Sequence, residues 1–139
     1  MHRVFLIVTL ATLALVLSAV SGETVAAYKI GYWTRVRGYL MCRGGYVETW
    51  ASLKTSKHSN DLVNVATYFG QFDMTSYAHN PGFFVSIRAD CGCGGEYFEL
   101  PLVPSGYQYR DYSMLAENNP YEYRVIDLAN CSARRNPHI

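Results

Sequence analysis

The stretch WTRVRGYLMC, residues 33–42, alternates between two kinds of side chain. Val36 and Leu40 fall on one side of an extended chain, and Arg35 and Arg37 fall on the other. Alternation with a period of two is typical of a β-strand that has one buried face and one solvated face. This stretch therefore predicts a strand with a core-facing side, and we expect the two arginines to be solvated on its outer face.

Short strand-like runs continue along the chain, separated by turn signals such as Asn80-Pro81-Gly82. The chain contains 12 tyrosines, which favour strands, and it lacks long stretches with helical periodicity. We expect strands at residues 33–42, 46–54, 62–68, 71–76, 83–89, 97–102 and 121–128. A tyrosine-rich loop is expected at 104–120, with a short helix at 113–117. Seven antiparallel strands in about 100 residues predict an all-β fold, a Greek-key β-sandwich.

The N-terminal residues predict the compartment. Arg3 precedes an apolar run at residues 4–20, and small residues follow the run. A charge, a short apolar segment and small residues, in that order, are typical of a cleaved signal peptide. An uncleaved membrane anchor is the alternative, and it needs about 20 apolar residues. The prediction is a signal peptide at 1–22 and one secreted, extracellular domain at 23–139.

The charge of the predicted secreted domain is balanced. Without residues 1–22 the chain has 11 basic and 11 acidic residues. Proteins that bind nucleic acid neutralise many phosphates with lysine and arginine. The balance therefore argues against nucleic acid as a partner, while a local basic patch and any oligomeric state are left open.

Four cysteines lie in the predicted secreted domain: Cys42, Cys91, Cys93 and Cys131. An even number in an oxidising compartment predicts two disulfides that staple the sandwich, and a zinc site that uses the Cys-Gly-Cys segment is the alternative. If successive strands run up and down, all four cysteines lie at one end of the sandwich. A bridge between Cys91 and Cys93 would be strained because a single residue separates them. Each of these two is therefore expected to bond to Cys42 or Cys131, and both assignments remain open.

Six segments match the motifs of one known family in their order along the chain. Residues 36–42 read VRGYLMC, and they resemble the opening V-x-G-x-L-x-C of the transthyretin-like family of nematodes. The second strand of the family is similar to residues 47–53, and its T-x-x-G-x-F hairpin is similar to residues 67–72. Its Y-L-x-I-x-H-x-C strand is similar to residues 84–91, its I-x-I-P segment to residues 98–101, and its final strand to residues 123–128. Ala89 stands where the family usually has histidine. The resemblance covers roughly residues 34–130 and implies a secreted, prealbumin-like sandwich with a binding role and no cofactor.

The resemblance also implies a function, because members of the family are thought to act as extracellular carriers or recognition proteins. One is described as bridging phosphatidylserine on dying cells to a phagocyte receptor. We therefore expect this chain to bind an anionic lipid headgroup, such as phosphatidylserine, or a cell-surface receptor protein, with peripheral contact to the membrane. The alternative is an extracellular carrier of small hydrophobic ligands.

An enzymatic role is the less favoured alternative. The hydrolase of 5-hydroxyisourate in the same superfamily has a C-terminal Tyr-Arg-Gly-Ser tail, whereas this chain ends in Asn136-Pro137-His138-Ile139. No serine lies in a G-x-S-x-G elbow, the motif of another class of hydrolases. We expect no enzyme activity, no cofactor and no metal site.

The up-and-down order of strands places three loops at the end opposite the cysteines. Those loops carry the candidate ligand-binding residues Lys54, Lys57, His58, Tyr77, His79, Tyr107, Tyr109, Arg110 and Tyr112, with Asp61 beside them. Lysine and arginine suit phosphate or carboxylate groups, and tyrosine offers a large amphipathic contact area. The competing interpretation is that the lysines solvate a loop and the tyrosines cover strand edges. We refer to these residues as the predicted loop site.

A glycosylation site is predicted at Asn130, because Asn130-Cys131-Ser132 fits the N-x-S acceptor pattern of secreted proteins. The middle residue of that pattern is also one of the four cysteines. A disulfide at Cys131 would hinder attachment of a glycan, so the two predictions compete.

Overall fold

The computed structural model describes residues 31–56, 60–93 and 97–131. The predicted signal peptide at 1–22 lies outside these residues, so its cleavage and the secretion of the chain stay predictions. Lys57 and His58 of the predicted loop site also lie outside them. None of the helices in the described part of the chain is long and apolar enough to cross a membrane.

The described residues form two β-sheets and little helix. The strands are β1 (Tyr32–Cys42), β2 (Gly45–Tyr46), β3 (Trp50–Lys54), β4 (Val63–Ala66), β5 (Gln71–Ala78), β6 (Phe84–Arg88), β7 (Tyr97–Glu99), β8 (Tyr109–Arg110) and β9 (Tyr121–Asp127). One α-helix, α1 (Ser113–Asn118), and two 3-10 turns, Ser105–Tyr107 and Leu128–Asn130, complete the regular structure of these residues.

The long strand β1 is the centre of the five-stranded sheet. It pairs antiparallel with β5 along one side, and its last residues pair antiparallel with β2, which follows it in the chain. Along the other side it pairs antiparallel with β8 and parallel with β9. The four-stranded sheet has the order β4-β3-β6-β7, and all its pairings are antiparallel. The all-β prediction with two stacked sheets is confirmed at this level.

The strand count differs from the seven antiparallel strands expected. The predicted second strand, 46–54, divides into β2 and β3, because the chain crosses between the sheets there. The Val47 N–H still donates to the Leu40 carbonyl at 3.0 Å, whereas Trp50 already pairs with β4. The short strand β8 lies within the tyrosine-rich segment 104–120, for which the sequence predicts a loop. The parallel pairing of β9 with β1 also departs from the antiparallel arrangement predicted for all the strands. Strands that alternate in direction along the chain leave the first and last pointing the same way, so these two can pair only in parallel.

The core lies between the sheets and is built from one face of each strand. The largest fully buried side chains include Phe72, Phe83 and Phe98, together with Leu40 and Leu53. Burying an aliphatic or aromatic side chain of this size stabilises a fold by about 1.5–3 kcal/mol. The alternation predicted for β1 is confirmed by the buried residues of its inner face.

Gly38 leaves room in β1 for the ring of Phe72 from the adjacent strand β5. These residues are paired across the sheet, and a Cβ on Gly38 would lie 2.6 Å from the Phe72 ring. Glycine weakens a strand through its conformational freedom, so its presence here needs a packing reason. The close approach of the buried ring supplies that reason.

Gly38→Ala is expected to destabilise the protein by about 1 kcal/mol or more, because the added methyl group overpacks the core against Phe72. Urea unfolding measures this change. Gly106→Ala is the matched control: a Cβ at Gly106 meets nothing within 4 Å, so its effect should stay within about 0.5 kcal/mol. Equal stability of the two variants would contradict the packing described for Gly38.

Two disulfides join the ends of strands at one end of the sandwich. Cys42 is bonded to Cys91, and Cys93 is bonded to Cys131. The predicted crossed arrangement is confirmed, and the zinc alternative is wrong because all four sulfurs are consumed in bridges. The bridged residues are 49 and 38 positions apart. Bridges that close loops of this length typically stabilise a domain by about 2–4 kcal/mol.

The two arginines of β1 lie on the outer face of the five-stranded sheet, as predicted, but each is paired with a carboxylate. Arg35 binds both carboxylate oxygens of Asp73, at 2.9 and 2.6 Å, and donates to the Glu117 carbonyl of α1 at 2.7 Å. Arg37 binds Glu122. Exposed pairs of this kind contribute little stability, about 0–1 kcal/mol. The Arg35 contact nevertheless fixes α1 against the outer face of β1.

Candidate functional site

The loops at the end opposite the disulfides meet. The Gly82 N–H donates to the side-chain oxygen of Gln108 at 2.8 Å. Gly31, just before β1, donates to Asp111 Oδ1 at 3.1 Å and accepts from the Asp111 N–H at 3.0 Å. These bonds tie the tyrosine-rich loop to the loop that follows β5 and to the start of β1.

The side chains of the predicted loop site do not converge in the same way. Lys54 follows the buried Leu53, so strand alternation turns it to the outer face of the four-stranded sheet. Its Nζ lies 3.4 Å from Asp61 Oδ1, and the Ser52 hydroxyl donates to Asp61 Oδ2 at 3.1 Å. The charge of Lys54 is therefore balanced by a carboxylate on its own side of the sandwich.

Tyr77 and Tyr109 lie on the outer face of the other sheet, on either side of Trp33. Trp33 pairs with both residues, and the rings of Trp33 and Tyr77 are 5.4 Å apart. His79 extends this row, with its ring 5.9 Å from that of Tyr77. The thickness of the sandwich thus separates this aromatic row from Lys54.

The remaining described residues of the predicted loop site are dispersed. The Tyr107 ring packs 5.2 Å from the Tyr121 ring, and the Tyr107 carbonyl accepts a hydrogen bond from the Thr34 hydroxyl at 2.8 Å. Arg110 is exposed in β8, and Tyr112 is exposed just before α1. The ligand-binding roles of all these residues stay predictions.

Three exposed aromatic side chains cluster at the disulfide end, and we term Tyr46, Tyr68 and Phe69 the aromatic apex. They are 60%, 74% and 59% exposed, respectively. The rings of Tyr68 and Phe69 are 4.6 Å apart and those of Tyr46 and Phe69 are 6.3 Å apart, both edge to face. Edge-to-face contacts stabilise the arrangement of the rings. They still leave more than half of each side chain in water.

Two tight turns hold the aromatic apex. Arg43 and Gly44 join β1 to β2, with φ angles of 51° and 81°. Phe69 and Gly70 form the turn before β5, with φ angles of 49° and 76°. The Tyr68 N–H donates to the Gln71 carbonyl at 3.0 Å, and the Gln71 N–H donates to the Tyr68 carbonyl at 2.9 Å. Turns with two consecutive residues at positive φ match the twist of the flanking strands, and asparagine followed by glycine is the preferred pair at these positions. Phenylalanine in the first position is therefore unusual.

The neighbouring backbone holds this turn in place, so the turn cannot shift to release Phe69 from its left-handed conformation. The Leu40 N–H donates to the Gly70 carbonyl at 2.8 Å, and a Cβ on Gly70 would lie 2.5 Å from the Leu40 carbonyl oxygen. A side chain in the left-handed region costs roughly 1–2 kcal/mol. Backbone strain of this kind persists only where the surrounding structure imposes it, and it clusters at functional sites.

Arg43 carries a positive charge beside the aromatic apex, and the Asp90 carboxylate lies near it, since this carboxylate accepts from the Gly92 N–H at 3.2 Å. Arg43 is exposed, and its guanidinium lies against Gly92, where a Cβ would meet it at 2.4 Å. Neither turn segment, 42–46 or 67–71, contains a carboxylate. The ion pairs formed among the described residues do not include Arg43.

None of the residues predicted to bind a ligand belongs to the aromatic apex. Its signal is nevertheless present in the sequence: Tyr68-Phe69-Gly70 places two aromatic residues at a tight turn, where polar residues are usual. Tyrosine and phenylalanine also favour strands, and this preference masks the signal.

The other predicted site features receive no test from the structure. His79 is the one histidine among residues 31–56, 60–93 and 97–131, and it is exposed. Within those same ranges no group of three or more His, Cys, Asp or Glu residues could hold a metal ion. Asn130 is exposed beside the bridged Cys131, so its glycosylation stays a prediction. The structure does not test the hydrolase alternative.

Comparison of the chain with protein-family profiles, curated proteins and solved structures gives no match. The resemblance to the transthyretin-like family therefore rests on the order of the sequence motifs.

Proposed function

We propose that this chain is a secreted recognition protein that attaches to anionic membrane surfaces through the aromatic apex. The observation that carries the proposal is Phe69, which is held in a left-handed turn and exposed beside two further exposed rings. Keeping these rings in water at a strained turn is unfavourable for the free protein. The arrangement becomes favourable when the rings enter a less polar environment.

The chemistry of the three rings suits the interface between lipid and water. Tyrosine enters such an interface with its ring, while its hydroxyl stays with water and headgroups. Tyr46 and Tyr68 flank Phe69, which has no polar group and would reach deepest. Moving one aromatic side chain fully out of water contributes about 1.5–3 kcal/mol.

The backbone of the aromatic apex also suits partial burial in lipid. Each backbone polar group that enters an apolar phase without a partner costs several kcal/mol. In the Phe69-Gly70 turn the flanking residues satisfy each other's N–H and carbonyl groups, and the Gly70 carbonyl accepts from Leu40. This turn can therefore enter the interface with few unpaired groups.

Arg43 supplies the preference for anionic lipid in this proposal. An arginine close to the membrane surface contributes about 1 kcal/mol through its attraction to anionic headgroups. Arginine also binds phosphate and carboxylate groups with paired hydrogen bonds, and phosphatidylserine carries both groups. A cell-surface protein is the alternative partner, because exposed tyrosines are also frequent at the energetic centres of protein interfaces.

The proposed family is the transthyretin-like one, with its prealbumin-type sandwich. Gly38 of the V-x-G-x-L-x-C segment packs against Phe72 of the T-x-x-G-x-F segment. Cys42, the last residue of the first segment, is bonded to Cys91, the last residue of the Y-L-x-I-x-H-x-C segment. Contacts between the segments are expected if together they define one fold, and they support the proposed membership.

Tyr68→Ser is expected to weaken binding to phosphatidylserine-containing vesicles about fivefold, roughly 1 kcal/mol. Co-sedimentation of residues 23–139 with these vesicles and with neutral phosphatidylcholine vesicles measures the binding and its preference. Tyr112→Ser is the matched comparison, because Tyr112 is 67% exposed, close to the 74% of Tyr68, and belongs to the predicted loop site. We expect Tyr112→Ser to bind as the parent does.

Two results would count against the proposal. If the parent protein binds neither kind of vesicle, the membrane is not the partner, and a cell-surface protein takes its place. If Tyr112→Ser loses binding while Tyr68→Ser keeps it, the predicted loop site is the membrane contact.

A further inference from the structure

A recess of about 420 Å³ opens on the outer face of the four-stranded sheet. Its size falls within the range of sites for small ligands. The residues that line it include Trp50, Ser52, Asp61, Asn64, Arg88 and Tyr97. Most of them are polar, and each comes from the face of a strand, or of the adjoining loop, that points away from the core.

The floor of the recess is a row of polar side chains across the sheet. Ser52 pairs with Asn64 of β4 and with Ser86 of β6, and Ser86 pairs with Glu99 of β7. Directly paired residues of antiparallel strands lie on the same face. Ser52, Ser86 and Glu99 are buried although they face outward. Asn64 is the exposed member of this row, and its amide offers both a donor and an acceptor to a ligand.

The two ends of the recess differ in chemistry. At one end Lys54 and Asp61 form an ion pair. At the other end Arg88 pairs with Tyr97, and the register of β3 against β6 places Trp50 on the opposite side of Arg88. Trp50 is 60% exposed. A guanidinium between two aromatic side chains therefore forms this second end.

The second end of the recess is prepared for an anion. Arg88 is exposed, and the ion pairs formed among the described residues leave its guanidinium out. Its carbonyl accepts a hydrogen bond from the Thr49 hydroxyl, which holds the end of β6 in place. Burial raises the pKa of Tyr97, with a smaller opposing effect from its hydrogen bond to Ser86. The charge of the Glu99 carboxylate and a hydrogen bond to it raise the pKa of Tyr97 further, so Tyr97 belongs to the polar network of this sheet face.

We propose that this recess binds a short saccharide that carries a carboxylate. The apolar face of a sugar ring packs against an aromatic ring, and Trp50 offers such a ring at the rim. The hydroxyl groups of the sugar exchange hydrogen bonds with Asn64 and Asp61, the exposed polar residues beside Ser52. The carboxylate pairs with Arg88. An apolar ligand is disfavoured, because it would take water from these polar groups without replacing the hydrogen bonds.

The test uses residues 23–139 labelled with ¹⁵N and no membrane, so its outcome is independent of the proposed membrane contact. The chain has two tryptophans, Trp33 and Trp50, and Trp33 lies on the opposite sheet as an internal reference. Titration with a hyaluronan tetrasaccharide, which contains glucuronate, is expected to shift the indole signal of Trp50 and to leave that of Trp33 in place. Chitotetraose, a neutral saccharide of equal length, should bind several-fold more weakly.

Arg88→Gln is expected to weaken binding of the hyaluronan tetrasaccharide about fivefold and to remove its preference over chitotetraose, because the ion pair with the carboxylate is lost. Arg88→Lys should restore part of the preference by returning the charge. Arg124→Gln is the matched control: Arg124 is an exposed arginine of β9 in the other sheet, and this variant should bind as the parent does.

Three results would overturn the assignment. The first is no shift of Trp50 with either saccharide. The second is equal affinity for the charged and neutral saccharides, which would exclude the carboxylate contact. The third is displacement of the saccharide signal by inorganic phosphate at similar concentration, which would make the recess a general anion site.

Discussion

Replacing Phe72 with alanine is expected to destabilise the protein by about 3–5 kcal/mol. The Phe72 ring is buried between the sheets, packs against Gly38 and lies 6.3 Å from the Tyr123 ring. Its loss leaves a cavity where β1, β5 and β9 meet, and the cavity adds to the lost transfer free energy. Small domains are stable by about 5–15 kcal/mol, so this variant loses a large share of its stability. Urea unfolding followed by circular dichroism measures the loss.

A double-mutant cycle with Gly38 tests the same contact more specifically. In the Phe72→Ala background, Gly38→Ala should cost little, because the new methyl group enters the space left by the ring. The two substitutions should therefore be non-additive, as expected for residues in contact. If Phe72→Ala does not fold, Phe72→Leu keeps most of the volume and should cost less than about 1.5 kcal/mol. Strict additivity in the cycle would contradict the packing.

The sequence predicts the strands well because each strand buries one face. Alternation in residues 33–42 and the glycine turn at Gly70 correspond to observed elements, and the helix predicted at 113–117 corresponds to α1. The crossed arrangement of disulfides also follows from the spacing of Cys91 and Cys93. The choice of partner for each cysteine could not be predicted, because all four lie at the same end of the sandwich.

The candidate sites were harder to predict than the strands, for physical reasons. The predicted loop site assumed that side chains near one end of the sandwich converge, but Lys54 and Tyr77 lie on opposite outer faces. The floor of the polar recess takes single residues, such as Ser52 and Ser86, from adjacent strands. Their juxtaposition depends on strand register, which no local pattern encodes. The aromatic apex depends on a turn conformation that Phe69 does not favour.

Phe69→Asn is expected to have opposite effects on stability and on membrane binding. Asparagine before glycine is the preferred pair for this turn and tolerates the left-handed conformation. Well-packed aromatic ring contacts are each worth about 0.5–1.5 kcal/mol, but the rings of the aromatic apex are largely exposed and their contacts are worth less. We therefore expect the relief of backbone strain to outweigh the loss of the Phe69 ring contacts. We expect a net stabilisation of about 0.5 kcal/mol. We also expect about tenfold weaker binding to phosphatidylserine-containing vesicles, roughly 1.4 kcal/mol.

Met114→Ser is the control for a general loss of exposed apolar surface. Met114 is exposed in α1, whereas the aromatic apex lies at the disulfide end. This variant should leave both vesicle binding and unfolding unchanged within about 0.5 kcal/mol. A loss of binding in Met114→Ser equal to that in Phe69→Asn would show that exposed apolar surface anywhere on the molecule drives adsorption.

The most direct measurement is the vesicle affinity of Phe69→Asn, taken on the same preparation as its free energy of unfolding. A protein that uses its aromatic apex to hold a membrane should become more stable and bind about tenfold more weakly. A variant that is more stable and binds vesicles as tightly as the parent would contradict the proposed function.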